Sequence, residues 1–389
     1  MSGGLVREEN LFDLKVYHSI RELDVALWDR WLGCLHPTKS HEFLSVVESA
    51  FPERQYRYYC VYKKQQPEAG PVAVFFSCEY SHDLILGAGE PLMKTVRVLR
   101  KIIPGFGCLR IVMSGNPETH SDTWWFDESA VSVDQLHSLM SSAIKAEHSS
   151  ARLVLIRDFN RSLAEFPTVI SSIFYALKFK LTQSLPLALL DIKGIKPKDH
   201  LARLKQNYRK IIKKALSKFD SGGYKVLRAQ EFLQWVDALY PLYLNVHARA
   251  KEFVREPFDK TFFHQLSNAS CSELTLILNK DDEPCAFTIS VYNETVYNAY
   301  LFGCKETTGD EPSFYTCLMW FDLENACERE LECIDMGITN YFPKQNFGAH
   351  LVPLTMALTL RSPLRGLNPL FAKLLCEQQP ASRSVYRSV

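Results

Sequence analysis

The sequence carries no C-x-x-C pair, no H-E-x-x-H, no Walker A string and no G-x-S-x-G. Zinc-ribbon, metalloprotease, P-loop and serine-hydrolase signatures are therefore absent. The 11 cysteines are odd in number and singly scattered, so no disulfide framework is expected and the thiols are read as reduced. No histidine has a sequence partner that suggests a triad or a metal site, and no metal is expected. The opening Met-Ser-Gly-Gly-Leu-Val-Arg-Glu-Glu-Asn lacks an apolar stretch, and no later run reaches the roughly 18 apolar residues of a membrane span. A cytoplasmic chain without stable membrane insertion is the expectation. Charge of one sign is also missing: 45 Lys and Arg nearly cancel 44 Asp and Glu. No global field draws the chain to nucleic acid or an anionic surface, so such a partner would have to meet a local patch.

What is present is ample core material. A chain of 389 residues, 47% hydrophobic and 12% aromatic, can bury two domains. Helical spacing runs over Arg21 to Leu32 and Glu42 to Ala50, followed by a hairpin of Tyr56 to Tyr62 and Pro71 to Glu79. A basic helix over Pro91 to Ile103, a strand over Leu109 to Met113, a helix over Val133 to Glu147 and an apolar strand over Arg152 to Ile156 come next. The second half repeats this order. Leu274 to Asn279 answers Tyr56 to Tyr62, and Pro284-Cys285-Ala286-Phe287 answers Pro71-Val72-Ala73-Val74. The strand Thr295 to Phe302, the helix Ser313 to Arg329 and the strand Leu331 to Asp335 complete the series, and Phe262-Phe263 sits on a short helix as Phe43 does.

The order predicts an α/β protein of two mixed sheets flanked by helices, with domains at 10–190 and 223–360, a basic interdomain segment at 191–222 and a polar, partly disordered tail at 361–389. Asp199 to Phe219 reads as one helix, Asp199 capping it and Leu201, Leu204, Tyr208, Ile211, Ala215 and Phe219 along one face. Its other face stacks Lys205, Arg209 and Lys213, which suits a solvated surface, a phosphate-bearing substrate or RNA, or a localisation or membrane patch. Gly87-Ala88-Gly89 before the first basic helix reads as a tight turn or an anion nest. Trp124-Trp125-Phe126 reads as an aromatic loop packed against the domain, an acceptor wall or an interaction patch.

The segment Leu204-Lys205-Gln206-Asn207-Tyr208-Arg209-Lys210, the hairpin Pro284 to Phe287, the strand Tyr297 to Gly303, Asp335-Met336-Gly337 and Lys344-Gln345-Asn346-Phe347-Gly348-Ala349 together resemble the FemAB-like branch of the GNAT acyltransferase superfamily. The resemblance implies a tandem GNAT-like fold and transfer of an acyl or aminoacyl group to an amine acceptor through a ternary complex. It implies an acyl-CoA or an aminoacyl-tRNA as donor. The stretch Gly303 to Pro312, which would meet the donor pyrophosphate, departs from the superfamily's R/Q-x-x-G-x-G/A pattern and places Asp310 and Glu311 there. Lys305, Gly309 and Gly348 are the candidate cofactor contacts, and Lys205, Arg209 and Lys213 the candidate phosphate contacts.

Amide formation needs a base, a group that stabilises the developing oxyanion and a proton donor to the leaving group. Asp335, at the end of a predicted strand, is the candidate base or acceptor contact. Lys344, which the resemblance places before the family's Phe-Gly pair, is the candidate polarising group. Tyr300 is placed to line the cleft, and Tyr315 to donate a proton. The competing reading is a non-catalytic module that has lost its donor loop and binds a phosphorylated or nucleic-acid partner through its basic helix.

Overall fold

The computed structural model describes residues 11–85, 90–162, 164, 167–249, 256–306 and 309–387. Gly87-Ala88-Gly89, together with Thr307 and Thr308 of the donor loop, lies outside them. The chain divides into two units. The first takes residues up to Leu32, Phe51–Leu185 and Pro353–Gln378; the second takes Gly33–Ala50, Pro186–Val352 and the chain from Gln379 on. This is not a division into contiguous halves.

The first unit contains β1 (Phe12–Tyr17), β2 (Gln55–Lys63), β3 (Ala73–Asp83), β4 (Cys108–Ser114), β5 (Trp124–Phe126) and β6 (Leu153–Phe159). The strands β7 (Lys180–Asp191), β8 (Lys225–Ala229), β9 (Ser272–Leu278), β10 (Pro284–Tyr292), β11 (Val296–Cys304), β12 (Cys333–Asp335) and β13 (His350–Leu360) follow along the chain. In the first unit β1, β2, β3 and β4 pair antiparallel in turn, β4 pairs parallel with β6, and β6 pairs antiparallel with β13. In the second unit β8, β9, β10 and β11 pair antiparallel in turn, β11 pairs parallel with β12, and β12 pairs antiparallel with β7. The two pairing sequences are the same. The repeat read from the sequence therefore holds strand by strand, with β2 answering β9 and β3 answering β10. Each closing strand comes from the other half of the chain: β7 follows β6 in sequence but closes the second sheet, and β13 closes the first.

The helices are α1 (Val25–Trp28), α2 (His41–Ala50), α3 (Glu90–Ile102), α4 (Val133–Glu147), α5 (Thr168–Ala176), α6 (Pro197–Arg203), α7 (Gln206–Ser221), α8 (Val236–Arg249), α9 (Lys260–Ser267), α10 (Phe314–Glu328), α11 (Tyr341–Phe347) and α12 (Asn368–Leu374). A capping box of Ser132 and Gln135 starts α4. Met140 and Ile144 of α4 then join Val112, Val154, Ile156 and Phe174 in the first unit's core. The opposite face of that sheet, Ile111, Met113, Leu153 and Leu155, is covered by Phe371 and Ala372 of α12. Trp124 packs against His137 and Phe159. In the second unit α10 is buried on nearly every side, as a helix apolar around its circumference must be.

Three expectations are corrected. The helix over 199–219 is two helices, because Leu204 leaves the helical conformation (ψ 146°) and its backbone bridges to Tyr386, while Lys205 N donates to Val385 O. Asp199 lies inside α6 and caps nothing, since the N-cap position is Lys196. The break rotates the buried face of α7 to Ile212, Ala215 and Phe219 and leaves Ile211 exposed. The tail expected to be partly disordered is instead built in: it forms α12, and Val385 is buried. Finally, α2, which carries Phe43, does not serve the first unit as a counterpart of α9 but packs against α9 in the second.

Candidate active site

In the second unit β11 and β12 diverge. β11 and β12 pair only from Val296–Cys333 to Asn298–Asp335, yet β11 runs on to Cys304. Beyond Asn298, the edge of β11 facing away from β10 has no strand partner among the described residues. A buried strand edge without a partner leaves backbone donors and acceptors for a ligand to satisfy. Gly303 lets α8 approach this strand, because a Cβ there would lie 2.8 Å from the backbone nitrogen of Tyr243. In the first unit, the last parallel pair of β4 and β6 is Met113–Leu155, inside an apolar cluster. The corresponding positions of the second unit are Asn298 and Asp335. In the first unit the polar groups begin one residue further on, where Ser114 Oγ accepts from Arg157 N at 3.0 Å and Arg157 pairs with buried Asp158.

Asp335 is fully buried. Its Oδ2 lies 2.9 Å from Nε2 of His36, and its Oδ1 accepts from Gly337 N at 2.6 Å. Asn298 Nδ2 donates to its backbone carbonyl at 3.2 Å. His36 Nδ1 accepts from Thr38 N at 3.3 Å and lies 2.8 Å from Thr38 Oγ1. Because Nδ1 accepts from an amide, the ring proton resides on Nε2 and is donated to Asp335. Burial lowers the His36 pKa below 6.5, partly opposed by the hydrogen bond and charge of Asp335, while the charge of buried Lys39 pushes it down further. His36 is thus a neutral imidazole in a line running Thr38, His36, Asp335. Reading by sequence neighbourhood missed it, since the imidazole and carboxylate lie 299 positions apart. The only local signal is the His-Pro-Thr string that starts a capped turn.

Lys344 is buried, and its Nζ donates to Gly337 O at 3.1 Å and Ile338 O at 2.9 Å. It therefore holds the turn after Asp335, in which Thr339 and Asn340 take left-handed backbone conformations. Tyr300, on the length of β11 that runs past β12, sits among Phe43, Phe258 and Phe262. Tyr315, near the start of α10, meets Phe302 edge-on, and burial pushes its phenol pKa up, partly opposed by nearby Asn340. Asp335, Lys344, Tyr315 and the Asn340 turn are therefore brought together, with Tyr300 on the neighbouring strand.

The described end of the donor loop is held by its own Glu311 and by α7. Gly309 N donates to Glu311 Oε2 at 3.2 Å, and Lys218 of α7 donates to the carbonyls of Gly309, Asp310 and Glu311. The first turn of α10 is capped by Ser313. Lys305 lies over the Phe314 ring, and the neighbouring Cys285 helps to raise its pKa against burial. Gly348 is remote from this loop in role: it ends α11 at φ 116°, where a Cβ would lie 2.4 Å from Tyr386 Oη. Of the basic-helix residues, Lys205 is tied to Ser384 O at 2.6 Å, Arg209 is half-buried and Lys213 is exposed.

Residues 206–345 match the family described as the acetyltransferase (GNAT) domain. A putative 8-amino-7-oxononanoate synthase 2 from Mycobacterium tuberculosis is 27% identical over 158 residues, 39% of this chain and 20% of that protein. The chain thus spans about a fifth of the length of the curated relatives it matches. Among solved structures, FemX superposes with a TM-score of 0.57 at 13% identity, covering 93% of this chain and 99% of that one. A tandem GNAT protein from the clavulanic acid biosynthesis pathway gives 0.49 at 12% identity, covering 90% and 99%. The protein has a tandem GNAT fold. The fold is shared with FemX, and the match to the acetyltransferase (GNAT) domain lies within the second unit.

Proposed function

We propose that the second unit transfers an acyl or aminoacyl group from a carrier to an amine, within a ternary complex, at the divergence of β11 and β12. The observation that carries this reading is the buried Asp335–His36–Thr38 line at the last paired residues of those strands. The amine nitrogen attacks the donor carbonyl, the bond from carbonyl carbon to the carrier's sulfur or oxygen breaks, and the amine proton must be taken up. A neutral imidazole held by a carboxylate is suited to take it, entering through the Thr38 hydroxyl at Nδ1. In this reading Asp335 positions His36 and steadies the imidazolium, while its other oxygen fixes Gly337. Lys344 anchors the turn after Asp335 and brings a positive charge to where an oxyanion develops. Tyr315, kept protonated by its environment, returns a proton to the leaving group.

The donor is an acyl-CoA or an aminoacyl-tRNA. The carboxylate of Glu311 occupies the Gly309 amide that a phosphate would take, so an anionic carrier must displace it. The same contact favours a second reading, a binding module without chemistry that meets a phosphorylated partner through Arg209 and Lys213. Incubation of the protein with acetyl-CoA, and separately with aminoacyl-tRNA, in the presence of a panel of amines decides between them. An amide product detected by mass spectrometry supports transfer, and its absence with both carriers overturns it in favour of the binding module.

A further inference from the structure

The first unit has an unusual surface. Val96 anchors α3 inward. On the outward side Val98, Ile102 and Ile103, with Phe106 in the following turn and Leu84 after β3, are between 38% and 75% exposed. At 100° per residue Lys94, Val98, Lys101 and Ile102 share the face opposite Val96. The turn is held in place: Arg100 donates to Phe106 O at 2.9 Å and to Asp83 at 2.7 Å, and Leu84 N donates to Gly107 O at 3.0 Å. The apolar side chains are therefore presented by a fixed structure.

From Pro91 to Pro117 there is no Asp or Glu, in a chain whose net charge is +1. Arg100 pairs with Asp83 and Arg110 with Glu79, and the remaining cations Lys94, Arg97 and Lys101 are exposed on α3. Exposed apolar residues flanked by ammonium groups on one helix face are the pattern of a helix that lies in a lipid interface, with the apolar groups at the acyl boundary and the cations at the phosphates. We propose that the outer face of α3 and the turn through Phe106 dock on an anionic lipid bilayer surface. A nucleic acid would satisfy the cations and leave Ile102, Ile103 and Phe106 in water, so the lipid is the better match. The docking is peripheral; no helix among the described residues is long and apolar enough to cross a membrane.

The test is co-sedimentation of the full chain with phosphatidylcholine vesicles with and without phosphatidylglycerol. Binding is expected only to the vesicles containing phosphatidylglycerol. At about fivefold per cation, the double variant Lys94→Gln/Lys101→Gln binds roughly 25-fold more weakly. Ile102→Ser/Phe106→Ser weakens binding about tenfold or more, with the circular dichroism and melting temperature of the free protein unchanged because both side chains are exposed. Phe106→Trp shows a blue-shifted emission on the same vesicles. Three results overturn the proposal: no binding to anionic vesicles at low salt; binding indifferent to the Ile102/Phe106 change and competed away by RNA, which marks a nucleic-acid face; or a self-associating free protein that becomes monomeric in the Ile102/Phe106 variant, which marks an interface between copies.

Discussion

His36 Nε2 lies 2.9 Å from Asp335 Oδ2, in a site where neither residue is more than 6% exposed. The pair joins the segment 33–50 to the end of β12. Because both carboxylate oxygens already accept hydrogen bonds, the acid is an orienting group and the imidazole is the group able to take a proton. Leaving either partner buried without the other is costly, on the order of 1–3 kcal/mol or more when a charge is involved.

Lys344 separates stability from chemistry. Lys344→Ala removes two hydrogen bonds and buried side-chain volume and is expected to destabilise the second unit by roughly 2–4 kcal/mol. Lys344→Met keeps the volume and should recover part of that loss in urea denaturation. If the ammonium also supports the oxyanion, both variants lower kcat about 100-fold or more. Recovery of kcat along with stability in the methionine variant would reduce Lys344 to a structural anchor.

Acid sensitivity follows from two buried histidines. Burial pushes His200 of the second unit down to about 4 and His137 of the first down to about 3. The unfolded chain protonates first, near 6.5, so the stability these groups contribute is whole above that pH. It is lost as pH falls to about 4 for His200 and about 3 for His137. Each histidine costs about 1.4 kcal/mol per pH unit in its window. His200→Gln, whose amide can still donate to Phe347 O, should flatten the second unit's loss between pH 6.5 and 4 in a calorimetric series and leave the first unit's unchanged.

Asp322 predicts an effect of opposite sign. It is buried on α10 near Glu273, Thr288 and Tyr297, and burial raises its pKa far above that of an ordinary carboxyl. A raised carboxyl pKa means that stability is whole at acid pH and is lost as pH rises past the unfolded value of 3.8. Asp322→Asn removes that loss and should raise Tm at neutral pH by a few degrees, about 2–4 °C for each kcal/mol recovered. A lower Tm at pH 7, with no change in its pH dependence, would show the carboxyl to be ionised and paired.

Gly348 links α11 to the C-terminal segment. Gly348→Ala meets Tyr386 and His200 and must hold φ 116°, so a loss of roughly 1–3 kcal/mol is expected. The readout is earlier proteolytic release of the chain beyond Gln378. Release no faster than in the wild type would show that the contacts of Arg203, Leu204, Lys205, Gln345 and Asn346 hold the tail without help from Gly348.

The sequence displayed the repeat because hairpins such as Pro71 to Val74 and Pro284 to Phe287 are local and carry their own pattern. The exchange of β7 and β13 was hidden, since closing strands look alike whichever sheet they join. Asp335 was visible because a carboxylate at a strand end before glycine is a local pattern. His36 was not, because its partner exists only after folding. Gly348, a candidate cofactor contact in the sequence, is a glycine because a Cβ there would meet Tyr386 and His200, which only the folded chain brings near. Ile211 was assigned to the buried face because a single helical period was carried through Leu204, where pairing with the tail resets it.

The most direct measurement is the rate of amide formation by wild type, His36→Gln and Asp335→Asn with whichever carrier the wild type uses, each variant first shown to be folded by circular dichroism and melting. The expected result is a fall in kcat of about 100-fold or more in both variants. Part of the loss should be recovered with an acceptor amine of low pKa, which is already neutral. Undiminished turnover in both folded variants would place the chemistry away from the divergence of β11 and β12 and contradict the account.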